Sequence, residues 1–202
     1  MLKIFSNKLL VNKKGNNIAE ISLRGFTLLE LLIVIAILAI LTTVVILVLN
    51  PGEYLAQARD SQRVSDLSTL HNAVALYLGT VPSAALGSCS VPYCSGGGGT
   101  LPGSIGACTV VSSTVVTGTG WVPVAFSNIS GGSPISREPV DPTNTGSYTY
   151  AYQCNPAGDN TYKLAAKLES AKYKNGGAGD LESKDGGTNA NAYEVGTNLS
   201  IF

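Results

Sequence analysis

From Leu31 to Leu49 the chain runs for nineteen residues without a charge, and only Thr42 and Thr43 interrupt its apolar character. At about 1.5 Å per helical residue, such a run just crosses a hydrocarbon layer of ~30 Å, so the pattern predicts a membrane-spanning helix. Beyond Asn50, Pro51 and Gly52 the pattern changes. Val64, Leu67, Leu70, Val74 and Leu78 recur every three or four residues among polar and small neighbours, the signature of an amphipathic helix with one buried stripe. Gly79, Thr80, Val81 and Pro82 end that stripe. Residues 83–109, rich in Gly, Ser and Pro and including the run Gly96 to Gly99, predict loop.

The second half reads as sheet. Residues 110–117 are rich in β-branched side chains, and Trp121 to Phe126 form an apolar patch that Pro123 restricts to an edge strand or bulge. Tyr148, Tyr150, Tyr152 and Cys154 alternate with Thr149, Ala151 and Gln153. After a turn over Asn155 to Asn160, Tyr162, Leu164, Ala166 and Leu168 alternate again. This predicts a hairpin with one buried face, its tyrosines packing over the helical spine rather than stacking a ligand. Leu199, Ile201 and Phe202 could add a last strand or pack on a neighbour. The predicted fold is α+β: a long N-terminal α-helical spine, half membrane-spanning and half amphipathic, packed against a small antiparallel β-sheet head.

Glu30 stands at the mouth of the apolar run. An unpaired carboxylate in a bilayer costs roughly 2.5 to 3.5 kcal/mol at the helix centre and less near an end, so it calls for a partner. A cut after Gly25 would create one. The new α-ammonium of Phe26 would lie one helical turn from Glu30 and could pair with Glu30 of a neighbouring, axially staggered copy.

Gly25, Phe26, Thr27, Leu28, Leu29 and Glu30, with the apolar run behind them, resemble the processing motif of type IV pilins and type II secretion pseudopilins. The resemblance implies a pilin-like fold and a prepilin peptidase that cuts between Gly25 and Phe26 and N-methylates Phe26. It further implies an inner-membrane assembly platform and self-association into a helical filament guided by Phe26 and Glu30. On this reading residues 1–25 are a leader, 26–52 a transmembrane and filament-core helix, 53–78 an amphipathic helix, and 79–202 the globular head. Pro139 to Gly146, followed by Tyr148 and Tyr150, also resembles the Asp-Pro turn and aromatic strand of pseudopilin heads. The proline pattern departs from the family: many relatives carry a kinking Pro where this chain has Leu47, and Pro51 lies four residues later, which leaves the kink shifted or absent.

Charge sets the orientation. Lys3, Lys8, Lys13, Lys14 and Arg24 precede the cut against a single acid, Glu20, so the N-terminus is expected in the cytoplasm of a bacterium. The chain would then be a single-pass inner-membrane protein, its head exported and later part of an extracytoplasmic filament. Loss of the leader changes a formal charge of zero to eight basic against twelve acidic residues, which gives no bulk attraction to nucleic acid. Two other readings start from the same residues. Ala56, Gln57 and Ala58 resemble a signal-peptidase site that would release a secreted protein beginning at Arg59. A minor tip pilin could instead use the Gly-rich, Cys-bounded loops to touch a surface or DNA. No Gly-x-Ser-x-Gly, His-Glu-x-x-His or phosphate-loop motif occurs, and His71 is the sole histidine, so enzymatic function is not expected.

Cys89, Cys94, Cys108 and Cys154 all follow the membrane run, and an even count on an exported side predicts structural disulfides. Three pairings exist; the expected one joins Cys89 to Cys94 and Cys108 to Cys154. In the tail, Asp180, Glu182 and Asp185 sit among glycines, and calcium suggests itself because some pseudopilins bind it in a C-terminal loop. Lys184 interrupts the ligand spacing and no bidentate Glu follows, so no cofactor is assigned and a solvated loop is expected.

Overall fold

The computed structural model describes residues 8–9, 21–22, 25–104 and 106–202. Most of the expected leader, with Lys3, Lys13, Lys14, Glu20 and Arg24, lies outside the described residues. The chain forms two compact units, residues 1–50 and 51–202.

In the first unit Lys8–Leu9 (β1) pairs antiparallel with Ile21–Ser22 (β2). Helix α1 follows over Leu28–Leu49, 22 residues long. Its window Leu28–Ile46 is long and apolar enough to cross a membrane, and none of it is buried within the protein. Thr42 and Thr43 donate their hydroxyls to the carbonyls of Leu38 (2.7 Å) and Ala39 (2.9 Å), so neither presents an unsatisfied polar group to lipid. The helix continues through position 47 and stops at Asn50, whose left-handed backbone (φ 43°, ψ 71°) caps it. The break is therefore shifted to Asn50, and Pro51 takes the first position of the next helix, where its missing N–H costs nothing.

In the second unit α2 spans Pro51–Thr80. Leu67, Leu70, Val74 and Tyr77 are buried on it, while Val64 and Leu78 lie at the margins. The same stripe continues toward the N-terminus through Ala56, Asp60 and Arg63, all buried. A five-stranded sheet has the order β4-β3-β5-β6-β7, built from Tyr93–Cys94 (β3), Thr109–Val110 (β4), Tyr150–Cys154 (β5), Tyr162–Ala166 (β6) and Tyr193–Gly196 (β7). It is mixed rather than antiparallel throughout, because β4 runs parallel to β3.

The β5–β6 hairpin forms in the expected place, Tyr150 opposite Ala166 and Cys154 opposite Tyr162. It has two buried faces, not one. The inner face (Tyr150, Tyr152, Tyr162, Leu164) joins Leu67, Leu70, Val74, Trp121, Val124 and Phe126 in the core. The outer face is covered by the loop closed by Cys94 and Cys108 and by the chain end, with Leu101 and Phe202 packed around Cys94 and Ala151. The tyrosines pack on the spine as expected: Tyr150 donates to Asp66 (2.7 Å), and the Tyr162 hydroxyl lies 3.0 Å from Nδ1 of His71. His71 is thus a core-edge residue.

Residues 110–126 depart from the expectation of two strands. Only Thr109–Val110 joins the sheet; beyond it, Ser113, Thr114 and Val116 offer carbonyls to Trp121, Glu138 and Ser127 rather than to a neighbouring strand. Val122, Val124 and Phe126 are buried while Pro123 and Ala125 are half-exposed. The alternation is real, but the backbone folds on itself, Val124 N donating to Val122 O at 2.7 Å and Phe126 N to Val124 O at 3.0 Å. The last strand is Tyr193–Gly196, upstream of the apolar end at Leu199 to Phe202.

The disulfides are Cys89–Cys154 (Cα–Cα 4.7 Å) and Cys94–Cys108 (5.8 Å), which corrects the expected pairing. The reason is strand parity. Cys94 sits opposite Ala151 in the register and shares its outer face. Cys154 points to the core face with Tyr150 and Tyr152, where Cys89 packs. Cysteines on opposite faces of one sheet cannot meet, so Cys89 reaches Cys154 and Cys94 turns to Cys108.

Candidate functional site

The segment expected to carry function is the start of α1. Thr27 has an extended backbone (φ −81°, ψ 151°) and caps the helix: its hydroxyl accepts from Glu30 N at 3.1 Å, and Glu30 Oε2 accepts from Thr27 N at 3.2 Å. This reciprocal pair is a capping box, and it places a carboxylate at the positive end of the helix. Glu30 is thereby held at the helix mouth, exposed, with Phe26 beside it 84% exposed. The Thr-x-x-Glu spacing carries this signal in the sequence, where the charge of Glu30 beside an apolar run overshadows its second role as a cap. At Gly25 an added Cβ would meet nothing within 4 Å. The fold of this segment makes no use of the missing side chain.

A second constellation centres on Arg63, a residue that apolar periodicity passes over, and draws in the Asp-Pro turn. Arg63 is fully buried and makes a two-point ion pair with Asp141 (Nε–Oδ2 2.7 Å, Nη2–Oδ1 2.9 Å). It also pairs with Asp60 (2.9 Å) and Glu169, and donates to Thr143 (2.9 Å). Arg59 joins from the next turn by pairing with Glu169. Asp141 itself turns the chain, accepting from Thr143 N (2.8 Å) and Asn144 N (3.2 Å), so the Asp-Pro turn is the seat of the buried arginine. Burial opposes charge on Glu169, yet hydrogen bonds from Arg59, Thr143 and Arg63 outweigh it and hold that carboxyl at about 2. The helical period holds the clue, because Asp60 and Arg63 occupy the stripe that Leu67 and Leu70 continue.

The tail segment is a largely exposed loop, as expected, but its carboxylates turn inward onto backbone amides. Asp180 accepts from Ser183 N (3.0 Å) and Gly176 N (2.9 Å), and the Ser183 hydroxyl and these amides bring it to about 2. Glu182 accepts from Leu168 N (2.9 Å) and Asn175 N (3.1 Å), and Asp185 from Gly187 N (2.8 Å) and Glu194 N (2.6 Å). Burial raises both of these latter acids. Among the described residues no group of three or more His, Cys, Asp or Glu converges to hold a metal ion. Lys163, also buried, pairs with Glu194 and donates to Leu199 O at 3.0 Å.

Glu138 lies in the core, and among the described residues no counter-charge touches it. Its Oε2 accepts from Val122 N at 3.1 Å, its Oε1 has no partner among the described residues, and a Cβ on Gly120 would fall 2.3 Å from the carboxylate. Burial pushes this acid up to about 8 against the pull of the Val122 and Trp121 amides. Nearby, an open groove is lined by Asp66, Thr69 and residues 134–140, but Asp66 is already engaged by Tyr150 and Gln62.

An apolar, membrane-length helix with an acid fixed at its mouth, followed in the chain by a disulfide-bonded α+β unit, fits a membrane-anchored protein with a folded head. Residues 23–46 match the family model described as the prokaryotic N-terminal methylation motif, a match that supports the type IV pilin and pseudopilin family and a pilin-like precursor processed at its N-terminus. That match ends within α1. No curated protein and no solved structure matches the chain.

Proposed function

We propose that the chain is a structural subunit of a type IV pilus-like or type II secretion pseudopilus filament, cut by a prepilin peptidase between Gly25 and Phe26, N-methylated on Phe26 and assembled through α1. The observation that carries the reading is the methylation motif placed on a membrane-length helix whose Glu30 is fixed and exposed at its start. An added Cβ at Gly25 would meet nothing within 4 Å among the described residues, so the proposed cleavage point is open to a peptidase. Transfer of α1 from lipid to a filament core gains little hydrophobic energy, so helix packing and the Phe26 ammonium paired with a neighbour's Glu30 bias assembly. The two disulfides suit a head on the oxidising, exported side.

A cut after Ala58 would divide α2 and detach Glu53, which accepts from Ala171 N and Lys172 N. Those contacts weigh against the secreted alternative. The N-terminus and mass of the mature protein from cells expressing the peptidase test the proposal. A start at N-methyl-Phe26 is expected; a start at Arg59, or an uncut Met1, overturns it. Glu30→Lys should still be processed while its incorporation into filaments falls by about tenfold or more, the scale of one lost charge-assisted contact, and normal incorporation would sink the pairing argument.

A further inference from the structure

The segment that leaves β6 has an unusual set of partners. Five consecutive amides, Leu168 to Lys172, donate to carboxylates rather than to a strand: Leu168 N to Glu182 (2.9 Å), Glu169 N and Ser170 N to Asp60 (2.9 and 2.8 Å), and Ala171 N and Lys172 N to Glu53 (3.1 and 3.2 Å). The arrangement continues downstream. Both oxygens of Asp180, of Glu182 and of Asp185 accept at least one hydrogen, from Gly176, Ser183, Leu168, Asn175, Gly187 and Glu194.

A calcium ion needs six to eight oxygens turned toward one point at about 2.3 to 2.6 Å. Here the three acids serve three separate sets of donors. Each accepted amide hydrogen takes one of the roughly four lone-pair sites of its carboxylate and turns the group toward its own donors, so the three acids do not converge on one point. Glycine contributes where the caps close: Gly176 and Gly186 adopt φ of 80° and 86°, and a Cβ on Gly187 would strike Glu194 at 1.7 Å.

We propose that the region from Leu168 to Glu194 is folded by carboxylate-to-amide caps in the role a divalent cation would otherwise fill, and that it takes no calcium. The acids gather the backbone themselves, three from the tail and two from α2. The inference does not depend on the filament reading.

The test uses the full chain in detergent micelles, with thermal unfolding followed in EDTA and in millimolar calcium chloride at matched ionic strength. The midpoint should be the same in both. Amides of residues 168, 175, 176, 183 and 187 should be protected from hydrogen exchange in EDTA as strongly as in calcium. A midpoint raised by calcium, or protection present only with calcium, overturns the proposal. Asp180→Asn should lower the midpoint equally in the two buffers, and a loss confined to calcium also overturns it. Should that variant fail to fold, the exchange pattern of the parent protein decides alone.

Discussion

Glu138 shows how one side chain can set a pH response. Its carboxyl is buried, its Oε1 meets no hydrogen-bond donor among the described residues, and desolvation pushes it up to about 8. A raised folded-state value means that its contribution to stability is whole below about 4.5 and is lost as pH climbs toward 8. Glu138→Gln carries the same shape without a proton to lose. The stability difference between variant and parent, from chemical unfolding, should therefore grow in the variant's favour between those limits and level off above pH 8. A flat difference would mean that the acid ionises freely in the folded protein. The residue has no signal in the sequence, where an acid between Arg137 and Pro139 reads as an ordinary loop charge. Glu30 is the opposite case, legible at once because the nineteen residues that follow it carry no charge.

At the scale of elements, α2 is half legible. The apolar stripe of Leu67, Leu70 and Val74 follows from helical periodicity, and so does its burial. The next two turns toward the N-terminus dock through charge instead, and periodicity scored on apolar residues passes over them. Arg63→Ala would strand Asp60, Asp141 and Glu169 without their shared cation and should cost about 3 to 5 kcal/mol of unfolding free energy, read from denaturant midpoints. A loss under about 1 kcal/mol, the scale of an exposed pair, would show that water reaches the cluster. The β5–β6 hairpin is legible because alternation and turn residues agree: Gly158 and Asn160 take the positive φ that the turn requires. Residues 110–126 are not, for lack of a partner. β propensity says that a segment suits a sheet, not that a neighbouring strand has a free edge for it.

For the whole molecule, composition and the order of elements are enough for an α+β head with two disulfides, while the pairing is not. Which cysteines meet depends on the faces of β3 and β5 to which they point, and that is fixed only once the register is known. A peptide map without reduction should recover Cys89 with Cys154 and Cys94 with Cys108. Replacing the first pair by serine should cost about 4 kcal/mol and the second about 3, since their separations are 65 and 14 residues. The reverse order would place the difference in native packing rather than chain entropy. Seen as a network, the Cys89–Cys154 bridge gives every peptide bond between those two cysteines a second covalent route around it. A protease can nick the chain anywhere in that stretch and leave one connected body until the bridges are reduced. Past Cys154 no such detour exists, and a single cut there leaves the tail joined by hydrogen bonds and packing alone.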